Sequence, residues 1–170
     1  VYSVLPTPVF GEELVVNGDF ATDSDWSKGS GWNIADGKAS CDGNQTSQTT
    51  LQSVYNLALG IGNLFKITFD ISNYSSGKIN VITLVGTGGP EITNINANGS
   101  YTAYSFGAST SDGKIQIIAD ADFIGSIDNV SVKEVLTANA DFDFTRASTA
   151  TRVNSKGLIE TVASNVPRLD

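Results

Sequence analysis

Leu64-Phe65-Lys66-Ile67-Thr68-Phe69-Asp70-Ile71-Ser72 is the stretch that decides the fold class. Phe65, Ile67, Phe69 and Ile71 alternate with Lys66, Thr68, Asp70 and Ser72, and a period of two lets a strand bury one face and leave the other in water. The alternation returns in Ile115, Ile117 and Ala119 and in Val130 and Val132, while residues 78–85 form an apolar run of strand-forming types. Between these runs stand Ser76-Gly77, residues 86–90, Asn98-Gly99 and Asp112-Gly113, residue types that accept the positive φ of tight turns, and each is expected to reverse the chain. The glycines of residues 56–63 argue for a loop there. Strand after strand at short spacing, with no convincing helix between them, predicts an all-β chain: an antiparallel sandwich or jelly roll, not a parallel α/β sheet.

Composition narrows the function classes. The chain has 170 residues, enough for one well-buried core and a small appendage. Ten basic against 18 acidic residues give a net charge of -8, which repels phosphate backbones and anionic bilayers, so neither nucleic acid nor a membrane surface is an expected partner. No apolar run approaches the ~20 residues that would span a bilayer, so membrane insertion is not expected. Cys41 is the only cysteine, which rules out an intramolecular disulfide. The start at Val1 and the lack of Met suggest a processed product or a segment of something longer. Asn-x-Ser/Thr triplets begin at Asn44, Asn73, Asn98 and Asn129, and in a chain rich in these residue types chance is the larger part of that count.

The sequence holds no histidine, so a Ser-His-Asp or Cys-His arrangement cannot be built and a zinc site would need unusual ligands. Two carboxylates can hydrolyse a glycoside. Asp120 with Asp122 and Asp23 with Asp25 nevertheless lie in polar loop-like runs and read as solvated charge, and residues 86–89 lack the lysine and helix of a phosphate cradle. No enzyme is expected, and no catalytic residue is assigned.

Three zones emerge. Residues 1–12, with Pro6 and Pro8, read as an extended lead-in; residues 13–135 as the sandwich; residues 136–170 as a linker and a short C-terminal β extension. In that extension residues 145–153 could pair with residues 158–162 across a turn at 154–157, a hairpin marginal on its own.

Two resemblances give these zones content. Glu13-Leu14-Val15-Val16-Asn17-Gly18-Asp19-Phe20, then Trp26, Gly31-Trp32 and Gly37-Lys38-Ala39, with Ile127-Asp128-Asn129-Val130-Ser131-Val132 at the far end, resemble the opening and closing strands of family 4/9/22-type carbohydrate-binding modules. The resemblance implies a galactose-binding-like jelly-roll β-sandwich of two antiparallel sheets, often with a structural calcium ion tying first strand to last. Phe144-Thr145-Arg146-Ala147-Ser148, Ala150-Thr151-Arg152-Val153, Gly157-Leu158-Ile159-Glu160 and Asn165-Val166-Pro167-Arg168 resemble a segment of bacteriophage head-fibre and tail-fibre proteins.

Candidate sites follow. Asp128 shares strand parity with Val130 and Val132, so its carboxylate is expected to point inward, where calcium held by Asp19, Asp128 and backbone carbonyls near Lys38 would compensate it. A strand-end carboxylate that caps backbone N–H groups is the plainer alternative. Candidate glycan-binding residues are Trp26, expected to be exposed in a polar loop, and Tyr74, Tyr101 and Tyr104, with Asn73, Asn80 and Gln116 offering amides to sugar hydroxyls. Trp32, after Gly31, is expected to fill the core, and any of the tyrosines could cap it.

The first expected function is a non-catalytic structural or adhesion module on a virion surface, part of a head or tail fibre. Its partners would be other fibre, capsid or tail subunits and a host-surface polysaccharide, in a homo-oligomer with a trimer favoured. The alternative is a carbohydrate-binding module of a secreted bacterial glycoside hydrolase, which would place the chain outside the cell. A purely architectural sandwich without ligand is the third reading.

Overall fold

A computed structural model describes residues 8–57, 59–84, 92–107, 113–136, 150–153 and 158–162. The expected turns at 86–90 and 154–157, and the 142–148 and 165–168 parts of the fibre-like pattern, lie outside the described residues.

Among the described residues thirteen strands follow one another: β1 (Val9–Glu13), β2 (Trp26–Lys28), β3 (Trp32–Ala35), β4 (Lys38–Asp42), β5 (Thr49–Ser53), β6 (Leu64–Ser76), β7 (Ile79–Leu84), β8 (Ile92–Ile95), β9 (Gly99–Phe106), β10 (Ile115–Ala119), β11 (Ile124–Leu136), β12 (Ala150–Val153) and β13 (Ile159–Val162). The first eleven build two antiparallel sheets, a six-stranded one in the order β3-β4-β11-β6-β9 with β1 on β11, and a five-stranded one in the order β2-β5-β10-β7-β8. These two sheets make an all-β jelly-roll sandwich. Residues 8–136 form one compact unit. In the other, β12 and β13 pair from Ala150 opposite Val162 to Val153 opposite Ile159.

The compact unit begins earlier than the sequence suggested. Residues 9–12, read as lead-in, join Glu13 in β1, which pairs with the end of β11, Val9 opposite Leu136 and Phe10 opposite Val135. Two of the expected turns pass the chain from one sheet to the other. Ser76-Gly77 and Asn98-Gly99 join strands of different sheets, β6 to β7 and β8 to β9, so they are corners of the jelly roll and not hairpin tips. Gly77 is fixed there by its φ of 67° and by space, since a Cβ would lie 2.3 Å from the Asp122 and Phe123 backbone. The β3–β4 hairpin turns instead at Asp36-Gly37, both at positive φ.

The alternation of the opening stretch becomes the core. Phe65, Ile67, Phe69 and Ile71 of β6 are buried with Ile115 and Ile117 of β10 and with Ile127, Val130 and Val132 of β11. Phe69 stacks on Tyr101 of β9 with ring centroids 5.3 Å apart, and Trp32 packs into the core beside Phe123. The sandwich closes where the two resembling stretches meet: the Leu14 N–H donates to the Val132 carbonyl at 3.0 Å and the Val130 N–H to the Gly18 carbonyl at 2.8 Å.

β11 does not hold one phase along its length. Its pairing with β6 slips between Asp128 and Ser131, where Asn129 takes a left-handed φ of 52°. Such a bulge adds one residue and inverts the parity of everything after it. Ile127 and Val130 are therefore both buried, and Asp128, opposite Asp70 of β6, belongs to the outer face. The inward Asp128 expected from simple parity with Val130 and Val132 is thereby corrected.

Candidate functional site

The outer face of the six-stranded sheet collects the residues that the core discards. From β6 come Lys66, Thr68, Asp70 and Ser72; their register partners on β9 are Tyr104 opposite Lys66, Thr102 opposite Thr68 and Ser100 opposite Asp70. On the other flank β11 sets Lys133 opposite Lys66, Ser131 opposite Thr68 and Asp128 opposite Asp70. Two exposed aromatic residues, Tyr104 (43%) and Phe106 (53%), stand two apart on β9 and so share this face.

Across the sheet, Phe10 of β1 bounds a groove of about 210 Å³ whose other walls are Lys66, Thr68, Ser131 and Lys133. The Lys66 Nζ lies over the Phe10 ring, 4.9 Å from its centroid, a cation–π contact that fixes both side chains. A broader depression shares Ser131 and Lys133 and continues past Glu13, Asn17, Asp19 and Asn129.

Hydrogen bonds make the middle of this face rigid. The Asn129 Nδ2 donates to the Asp70 Oδ2 at 2.8 Å, the Lys38 Nζ to the Ser72 Oγ at 3.0 Å, and the Asn73 Nδ2 to the Ser126 Oγ at 3.3 Å, while the Ser40 and Ser126 hydroxyls pair at 2.9 Å. Hydrogen bonds from Ser100 and then Asn129, with the Lys38 charge nearby, hold the Asp70 carboxyl below the ordinary carboxylate value. Glu13 serves the backbone: its Oε1 accepts from the Val15 and Val132 N–H groups, and its Oε2 from the Ser131 hydroxyl at 2.6 Å.

The candidate residues from sequence separate. Trp26, expected to be exposed, is a correction: it is 5% exposed, packs on Phe20 at 5.0 Å between centroids and donates its Nε1–H to the Asn17 carbonyl at 2.9 Å. The reason is local. Asp25 at a φ of 69° starts β2 with its first side chain inward, and Asn17 folds the polar loop over it by bonding the Thr22 and Ser24 carbonyls. Tyr74 and Tyr101 pack against the core, their hydroxyls donating to the Gly77 and Ala97 carbonyls. Tyr104 alone of the four presents itself to solvent on the outer face. Asn73 joins that face, whereas Asn80 and Gln116 belong to the five-stranded sheet.

The residues named for calcium come from three converging segments. The turn at 17–20 bonds the Val130 strand, and the Asp19 carbonyl lies 3.8 Å from where a side chain on Gly37 would begin. Asp19 is exposed, and the Asp128 Oδ1 accepts from its neighbour's N–H, that of Asn129, at 2.6 Å. Among the described residues no group of three or more acidic, cysteine or histidine side chains gathers. Two carboxylates with backbone carbonyls are donors of the type calcium takes, and they are unsuited to zinc.

No protein-family model matches the chain, and no curated protein sequence matches it. Among solved structures the chain is similar to a CBM4 carbohydrate-binding module, with 14% identity and a TM-score of 0.47 over 65% of this chain and 94% of that one. It is also similar to TmCBM27, a carbohydrate-binding module studied for specific mannan recognition, with 15% identity and a TM-score of 0.41 over 76% of this chain and 99% of that one.

Proposed function

We propose that the sandwich is a non-catalytic carbohydrate-binding module whose ligand lies on the outer face of the six-stranded sheet. The juxtaposition of Tyr104 and Phe106 with the hydroxyl, amide and lysine groups of β6 and β11 carries this reading. Sugars offer apolar ring faces to aromatic side chains and hydroxyls to fixed donors and acceptors, and this face supplies both. Calorimetry of the full chain against a panel of soluble polysaccharides tests it. Binding to at least one glycan is expected, weakened roughly tenfold or more, about 1.4 kcal/mol, in the double variant Tyr104→Ala, Phe106→Ala with an unchanged melting temperature. A panel without a binder, or a double variant that binds as well as the parent, overturns it.

Calcium held by Asp19, Asp128 and carbonyls near Lys38 belongs to the same proposal as a structural element remote from the aromatic pair. Its expected signature is a melting temperature raised by calcium and lowered by a chelator; an unchanged melting curve discards it.

The setting in which the module works is read from the tail. The ordered resemblance over residues 142–170 favours a virion fibre, with fibre, capsid or tail subunits as partners and a trimer as the assembly. A module of a secreted glycoside hydrolase is the alternative, and the outer face serves either setting. Mass spectrometry of purified virions decides between them: the peptide is present in the first case and absent in the second.

A further inference from the structure

The groove bounded by Phe10 contains a charge arrangement that a neutral sugar does not need. Lys66 and Lys133 are direct cross-strand partners, and like charges opposite one another in a β ladder destabilise it. Among the described residues Lys66 meets no carboxylate; its ammonium rests on the Phe10 ring instead. Lys133 approaches one carboxylate, the Glu13 Oε2, at 3.9 Å, but that oxygen already accepts the Ser131 hydroxyl at 2.6 Å and its twin accepts two backbone N–H groups. Glu13 thus joins β1 to β11, and its single negative charge is set against two ammonium groups.

Beside the lysine pair the groove is walled by the hydroxyl-bearing Thr68 and Ser131, themselves opposite one another on β6 and β11. The groove encloses about 210 Å³. In a chain with a net charge of -8, two lysines are concentrated at one recess of the face that also bears Tyr104. Resting on the reading of this face as a glycan site, we infer that the Phe10–Lys66–Lys133 groove selects an acidic sugar unit, a pyranose bearing a carboxylate or a sulfate ester, with the acid group between the two ammonium groups. Phe10 orients Lys66, and Thr68 and Ser131 offer hydroxyls to the ring substituents. The overall negative charge opposes long-range attraction of a polyanion, so selectivity arises at contact and not from steering.

The test measures binding of the full chain to two matched pairs, polygalacturonate with its methyl ester and dextran sulfate with dextran. At least one charged member is expected to bind tenfold or more tightly than its neutral counterpart. Preference within the first pair identifies a carboxylate, and within the second a sulfate ester. The double variant Lys66→Met, Lys133→Met should lose that preference while melting at or above the parent's temperature, and Lys28→Met, on the five-stranded sheet, should keep it. Equal binding of charged and neutral members, or a preference that survives in the double variant, overturns the inference and leaves glycan binding standing. Absence of binding to all four, together with an empty neutral panel, overturns the inference and the reading beneath it.

Discussion

The two faces of β6 share one backbone and one period, yet they teach different things. Inward, Phe65, Ile67, Phe69 and Ile71 do one job that hydrophobicity alone announces. Outward, Lys66, Thr68, Asp70 and Ser72 look like ordinary solvated positions until β9, β11 and β1 are laid beside them. Alternation tells which residues leave the core; only the register of neighbouring strands tells what they meet there.

The largest effect separating the two faces should come from Phe69→Ala. It removes a fully buried ring and its stack with Tyr101, and a loss of about 3–5 kcal/mol in denaturant unfolding is expected. A loss no larger than that of an outer-face variant would break the distinction.

Next comes Asn129→Val, which tests the bulge that sorts residues between the faces. A β-branched side chain at a φ of 52° and the loss of the bond to Asp70 should together destabilise the chain by about 1–2 kcal/mol. Normal stability in that variant would mean that β11 keeps a regular phase and that Asp128 points inward after all.

The smallest effect concerns Asp70. Its folded-state pKa is depressed, so its contribution to stability is complete above the ordinary value of 3.8 and is lost as the pH falls below that through the folded value. Melting curves of the parent and of Asp70→Asn should therefore differ at neutral pH and converge in acid. A gap that is constant with pH would show that Asp70 gains nothing from Ser100 and Asn129.

Much of the sandwich was legible because its causes are local in sequence. The period of two in residues 64–72 named the buried side of β6, and the resemblance of residues 13–20 and 127–132 to module ends implied that first strand meets last, as the bond between Gly18 and Val130 has them. What escaped had non-local causes. Nothing in Ser76-Gly77 distinguishes a corner between sheets from a hairpin tip. Asp128 was misplaced because one left-handed residue, Asn129, inverts parity, and an Asn in a strand is only a weak sign of that. Trp26 was misread because Asn17, nine positions away, folds the polar loop over it.

The groove shows the same limit. Phe10 lay in a segment read as lead-in, and Lys66 and Lys133 are 67 positions apart, so no window of sequence shows them as partners. One signal was available: Tyr104 and Phe106 stand two apart on β9 and so share a face, which proves to be the wet one.

The most direct test of the ligand face is amide chemical-shift mapping of the isotope-labelled full chain during titration with the glycan that binds it most tightly. The account predicts shifts confined to the outer side of β6, β9 and β11, around Lys66, Thr68, Thr102, Tyr104, Ser131 and Lys133. Shifts centred on Thr50, Gln52 and Gln116 of the five-stranded sheet, with that surface undisturbed, would contradict it.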